Sequence, residues 1–326
     1  MPDYIAIAKQ FVAQVTQSRD DIIGVLLVGS AARGETTAFS DIDLRLVVPE
    51  TEGYWFGRDG MDAWIEDIYI DAGIVAFDVY ANIEHVLSNS TPAHDIYDAV
   101  ILHDPTGHLT QLQKDVQPIF MESKWVQRRL DPHLNRLAQS LADLDEAVET
   151  GHTINICISA AQIFFRLALI TLIKHGVPPS STRNLTQLGT IAPALQKQLC
   201  ELEGTVTMTV RDVQQSTSIL GQWADLSHAS RKNDLATYMI RKISWLADQG
   251  FIQTALHTAW TNCSFRLGEC QALEDQQDQE AVLALAGEWL TLFEWQEGVT
   301  REEKLEKIKT ISHEMQENVS LGDHND

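Results

Sequence analysis

Two short apolar runs, residues 22–28 and 42–48, stand so close together that they constrain everything around them. Runs of this length and apolarity are buried strands, and the second is stopped by Pro49. The segment between them holds Gly29, Ser30, Arg33 and Gly34, followed by Ser40-Asp41-Ile42-Asp43. Side chains alternate along a strand, so Asp41 and Asp43 leave from one face while Ile42 turns into the core. Two carboxylates roughly 7 Å apart on one face repel each other unless a cation lies between them. Donors that are all oxygen favour magnesium or manganese. Gly29 lets backbone approach a bulky anion without a Cβ in the way, and a short helix from about Ser30 would aim N–H groups at it. Ser30 and Arg33 add a hydroxyl and a guanidinium. A metal-chelated triphosphate uses both halves of this segment.

The composition of the whole 326-residue chain bounds the partners. It is 44% apolar, enough for two domains, each with its own core. Acids outnumber bases 46 to 24, a net charge of −22 that disfavours long nucleic acid and anionic membrane surfaces. The first residues show no secretory signal, so a cytoplasmic location is expected. Residues 154–173 are apolar, but Asn155, Ser159, Gln162 and Arg166 recur at helical spacing, which marks a core helix and not a membrane span. Cys157, Cys200, Cys263 and Cys270 form no CxxC pair and lack histidines at zinc spacing, so reduced thiols are expected.

Asp3 is placed to cap a first helix running to about Ser18. Residues 52–60 read as a loop, and residues 65–70 as either a short strand or a helix end. Residues 74–81 alternate, which puts Asp78 in the middle of an apolar strand. Asn82 caps a helix over 83–87, further helix leads to about Tyr97, and a short strand follows at 99–102. From about Met121 only helical periodicity remains, with helices expected at 121–130, 132–150, 153–175, 193–204, 208–226, 231–249, 251–268, 279–295 and 300–317. Pro132 is expected to break the first pair. The fold class is therefore α+β: a small mixed-sheet domain (1–118), an all-helical bundle (119–317) and a disordered tail (318–326).

On these residues the chain resembles a nucleotidyltransferase domain of the DNA polymerase beta superfamily over residues 20–105. The carriers are G-S-x-x-R-G followed by S-D-I-D-L, with Phe77-Asp78-Val79 standing for the third acidic element and residues 99–107 for the last strand and turn. An acidic chain with a following helical bundle is most similar to the aminoglycoside and lincosamide (kanamycin-type) nucleotidyltransferases. The resemblance implies that Asp41 and Asp43 hold two magnesium ions with Asp78 completing the site and taking the hydroxyl proton. It implies that Gly29, Ser30, Arg33 and Ser40 contact the phosphates of ATP. AMP would pass to a hydroxyl of a small, polycationic or otherwise hydroxylated acceptor, with pyrophosphate released, in a monomer or homodimer. Glu146 and Glu149 are candidate bases near that acceptor.

Two other readings stay open: an AMPylating enzyme of antitoxin type that modifies a partner protein, and a nucleotide-binding module without turnover. Lys124, Arg128 and Arg129 read as a solvated face, and the tryptophans at 223, 245, 260, 289 and 295 as anchors between helices. Arg128 and His133 have the spacing of HEPN ribonucleases, but Pro132 between them would interrupt the helix that must carry both.

Overall fold

The computed structural model describes residues 2–50, 54–55, 61–180, 182–226, 230–270, 273, 275–295 and 298–320. The chain divides into two compact units, Met1–Arg129 and Leu130–Asp326.

In the first unit, α1 (Tyr4–Ser18) is capped by Asp3, whose Oδ1 accepts from Ala6 N–H at 3.0 Å. β1 (Gly24–Val28) runs into the one-turn α2 (Gly29–Arg33), and the chain returns as β2 (Ile42–Val48). β3 (Tyr54–Trp55), β4 (Ala63–Ile65) and β5 (Ile68–Ala76) follow. A 3-10 turn (Phe77–Tyr80), α3 (Ile83–Ser88), α4 (Ser90–Asp98), β6 (Val100–His103) and α5 (His108–Val116) complete the unit. The mixed sheet has the order β3-β5-β2-β1-β6, with β4 also paired to β5. β1 and β2 are antiparallel, whereas β2 and β5 are parallel.

Strand alternation sorts the sheet's two faces. Val25, Leu27, Ile42, Leu44, Leu46, Ile70 and Ile74 pack under Ile7, Phe11, Val12 and Val15 of α1. Leu26, Val28, Val47 and Val75 pack against Val86, Leu87, Ile96, Leu112 and Phe120 from the helices on the other face. Each such side chain contributes on the order of 1.5–3 kcal/mol when fully buried. Together they fix the register of β2, since a one-residue slip would turn Asp43 and Arg45 into the α1 layer.

Three expectations about this unit change. Residues 65–70 are the turn of a hairpin, in which Glu66 and Asp67 (φ 50° and 64°) link β4 to β5. β5 therefore begins at Ile68, six residues before the strand expected from the 74–81 alternation, and ends at Ala76. Asp78 lies not in a strand but on the 3-10 turn that follows, exposed to solvent. In the expected loop at 52–60, Tyr54–Trp55 form β3, and residues 52–53 and 56–60 lie outside the described residues.

The second unit is helical. α6 (Ser123–Thr150) contains the boundary between the units and runs through Pro132 without a break. The proline ring removes one backbone bond, at a cost of roughly 3 kcal/mol that the rest of a 28-residue helix absorbs. The argument from Pro132 against a ribonuclease pair thus fails. However, Arg128 Nη1 bonds Glu84 at 2.8 Å, and His133 Nδ1 shares a 2.9 Å bond with Arg166, so each is already engaged. α7 (Thr153–Lys174), α8 (Asn184–Ile191), α9 (Pro193–Glu203), α10 (Val210–Leu226), α11 (Ser230–Asp248), α12 (Ile252–Cys270), α13 (Gln276–Leu292) and α14 (Val299–Ser320) follow. α14 continues three residues into the expected tail, and residues 321–326 lie outside the described residues.

α7 is long and apolar enough to cross a membrane, and 78% of its most apolar window is buried inside the protein. The indole of Trp260 lies against Phe164, Trp289, Phe293 and Trp295, with ring centroids 4.9–6.2 Å apart. Trp223 is also fully buried, while Trp245 is half-buried. All four cysteines are buried free thiols.

Candidate active site

The pairing of β1, β2 and β5 brings the end of one strand and the starts of the two others together. Val28 lies opposite Asp43 across the antiparallel pair, and Asp43 lies beside Asp71 across the parallel pair. Partnered residues project to the same face, so Asp43 and Asp71 share it with Arg45, two residues along β2.

The turn after β1 fits this face closely. Gly29 has φ +67°, a conformation that a Cβ disfavours, and a Cβ built there would fall 2.1 Å from Oδ2 of Asp43. Glycine is thus required twice, once by the backbone and once by the carboxylate beside it. Gly34 closes α2 in the left-handed region. Ser40 is buried, and its hydroxyl accepts from Thr37 N–H at 2.8 Å, which folds the loop back just before Asp41. Arg33 is held by Glu35 (2.9 Å) and Asp98 (3.6 Å).

Charge is concentrated here. Burial pushes the Asp71 carboxyl up to about 6, and Asp62, Asp41 and Asp95 push it the same way while Arg45 opposes them. Asp62 accepts from Tyr69 O–H at 2.9 Å and from Ala72 N–H at 3.2 Å, so it sits on the strand that carries Asp71. Arg45 Nε donates to Asp95 Oδ2 at 3.0 Å, and its Nη1 donates to the Leu44 carbonyl. Tyr80 O–H also reaches Asp95, at 3.4 Å. The Asp98 carboxyl is raised by burial and by Glu35, against Arg33. The Tyr4 hydroxyl is raised by burial and then by the charge of Asp41.

Of the residues read from the sequence, Gly29, Ser30, Arg33, Ser40, Asp41 and Asp43 come together at this end of the sheet, and Asp78 does not. The five residues of β5 beyond Asp71 already span about 16 Å, and Asp78 lies two residues further on. The acid that stands in register beside Asp43 is Asp71. Its signal was Ile70-Asp71-Ala72, an acid between apolar residues in a run that begins at Ile68. Among the described residues, no three His, Cys, Asp or Glu side chains stand close enough to enclose a metal ion. The donor chemistry is nonetheless that of a hard cation: carboxylate oxygens from Asp43 and Asp71 in register, with Asp41 coupled to Asp71.

Residues 9–74 match the family model described as Nucleotidyltransferase domain, a span that holds α1 to β5 and includes Asp71 but not Asp78. This match supports nucleotidyl transfer as the general activity. No curated protein matches the chain. Among solved structures, a nucleotidyltransferase-like protein from Exiguobacterium sibiricum 255-15 aligns over 94% of this chain and 89% of its own, at 12% identity and a TM-score of 0.37.

Proposed function

We propose that the chain is a magnesium-dependent nucleotidyltransferase that moves AMP from ATP to a hydroxyl of a small acceptor, releasing pyrophosphate. The observation that carries this reading is the register of β2 and β5, which sets Asp43 and Asp71 side by side next to the turn at Gly29. Asp43 and Asp71, in register, are the proposed oxygen donors to the divalent cation, with Asp41 close by, and Asp78 is left out. When bound, that cation would neutralise phosphate charge and acidify the attacking hydroxyl.

The chain's own residues would do the positioning. The backbone at Gly29 and Ser30 lets phosphate oxygens approach closely, because no Cβ stands between them and the strand ends. Arg33, released from Glu35, would pair with the outer phosphates. Asp71, in register beside Asp43, is the acid of the cluster placed to receive the proton of the attacking hydroxyl. The net charge of −22 favours a cationic acceptor of the aminoglycoside kind, and the buried thiols suit a cytoplasmic protein.

The test is pyrophosphate release from ATP and magnesium in the presence of aminoglycosides, lincosamides and other hydroxylated metabolites. Release with at least one acceptor, abolished by Asp43→Asn and by Asp71→Asn, is expected. Unchanged turnover in both variants would overturn the assignment.

A further inference from the structure

A cleft of about 480 Å³ opens in the helical unit, between the end of α6, the start of α7, α13 and the first turn of α14. Arg301 lines it. Its Nε is shut off from solvent and hydrogen-bonded to nothing, and among the described residues no carboxylate pairs with it. In a chain with 46 acids and 24 bases, Arg301 is a half-buried guanidinium with no acid bonded to it among the described residues. Leaving such a nitrogen dry and unbonded is unfavourable unless something outside the described fold satisfies it.

Two further features of the cleft point the same way. Glu149 also lines it, but among the described residues it forms no ion pair with Arg301. Gly287 lies on the α13 wall, in the middle of a helix, where a Cβ would meet nothing within 4 Å. Glycine is less favourable than alanine in a helix interior, and neither φ nor packing calls for it here; what it leaves is open space. Ile156 and Leu290, both buried, supply an apolar wall.

We propose that this cleft binds a small organic carboxylate with an apolar body, its carboxylate on Arg301 and its body against Leu290 over Gly287. Guanidinium prefers planar oxyanions to which it can donate two bonds, and a single negative charge is the most that Glu149 nearby tolerates. The site lies wholly in the helical unit and does not depend on the chemistry proposed for the sheet.

The experiment is calorimetric titration of the full chain with 4-phenylbutyrate and, separately, with its neutral amide. The acid is expected to bind about tenfold or more tightly than the amide. Arg301→Gln should erase that preference, and Gly287→Leu should weaken both ligands by about tenfold through loss of room. Thermal melting without ligand checks folding: Arg301→Gln should melt no lower than the parent, because no bond is lost. Equal binding of acid and amide, no binding of either, or a preference that survives Arg301→Gln in a folded variant would each overturn the proposal.

Discussion

Arg45 of β2 donates to Asp95 of α4 at 3.0 Å, both buried, so a closed ion pair lies two residues from Asp43 on the carboxylate face. Removing one partner strands the other in a place with little water. Arg45→Met should lower stability by about 3–5 kcal/mol, and the double variant Arg45→Met/Asp95→Leu should recover most of it. Denaturant unfolding of the four species in a double-mutant cycle measures this. A coupling near zero would mean that the pair is incidental to the fold.

Asp71 carries a cost that depends on pH. Its folded pKa of about 6 lies above the ordinary 3.8, so the folded chain holds this proton more tightly than the unfolded chain. The resulting stabilisation is complete below about 3.8 and is lost as pH rises through about 6. Asp71→Asn removes the ionised form, and should raise stability at pH 8 by up to about 3 kcal/mol while abolishing turnover. The gain should vanish at pH 4, as followed by thermal melts at the two pH values.

The two candidate third acids should separate in turnover. Asp78→Asn alters an exposed turn residue and is expected to change pyrophosphate release by less than about twofold. Asp71→Asn is expected to reduce it by at least about a hundredfold. Comparable rates for the two variants would contradict the register argument.

Pro132 stands exposed inside α6, where its ring displaces a helix hydrogen bond. Pro132→Ala should raise the denaturation midpoint, by an amount corresponding to about 1–3 kcal/mol. A lower midpoint would mean that the helix uses the proline to bend.

How far the sequence discloses this architecture differs along the chain. The strands around Gly29 were legible because their apolar runs are short, pure and punctuated by Gly-Ser and Pro49. Asn82 and Asp3 cap helices as their side-chain chemistry requires. The last long strand was placed late because the hairpin turn Glu66-Asp67 contains no glycine or asparagine, so nothing marks the start of β5. Phe77-Asp78-Val79 then offered the cleaner alternation, though the chain there has already left the sheet. α8 escaped notice since Arg183 at its head gives no side-chain cap and Gly189 dilutes its periodicity. The expected break at Pro132 gave too much weight to one lost bond in a long helix.

The 2.1 Å between a Cβ built at Gly29 and the Asp43 carboxylate ties the histories of the two positions together. No larger residue can drift into position 29 while Asp43 keeps its rotamer, and a chain that shed the acid would no longer be held to glycine by contact. Descendants that abandon the chemistry should therefore betray it by variation at position 29, limited from then on only by the left-handed backbone there.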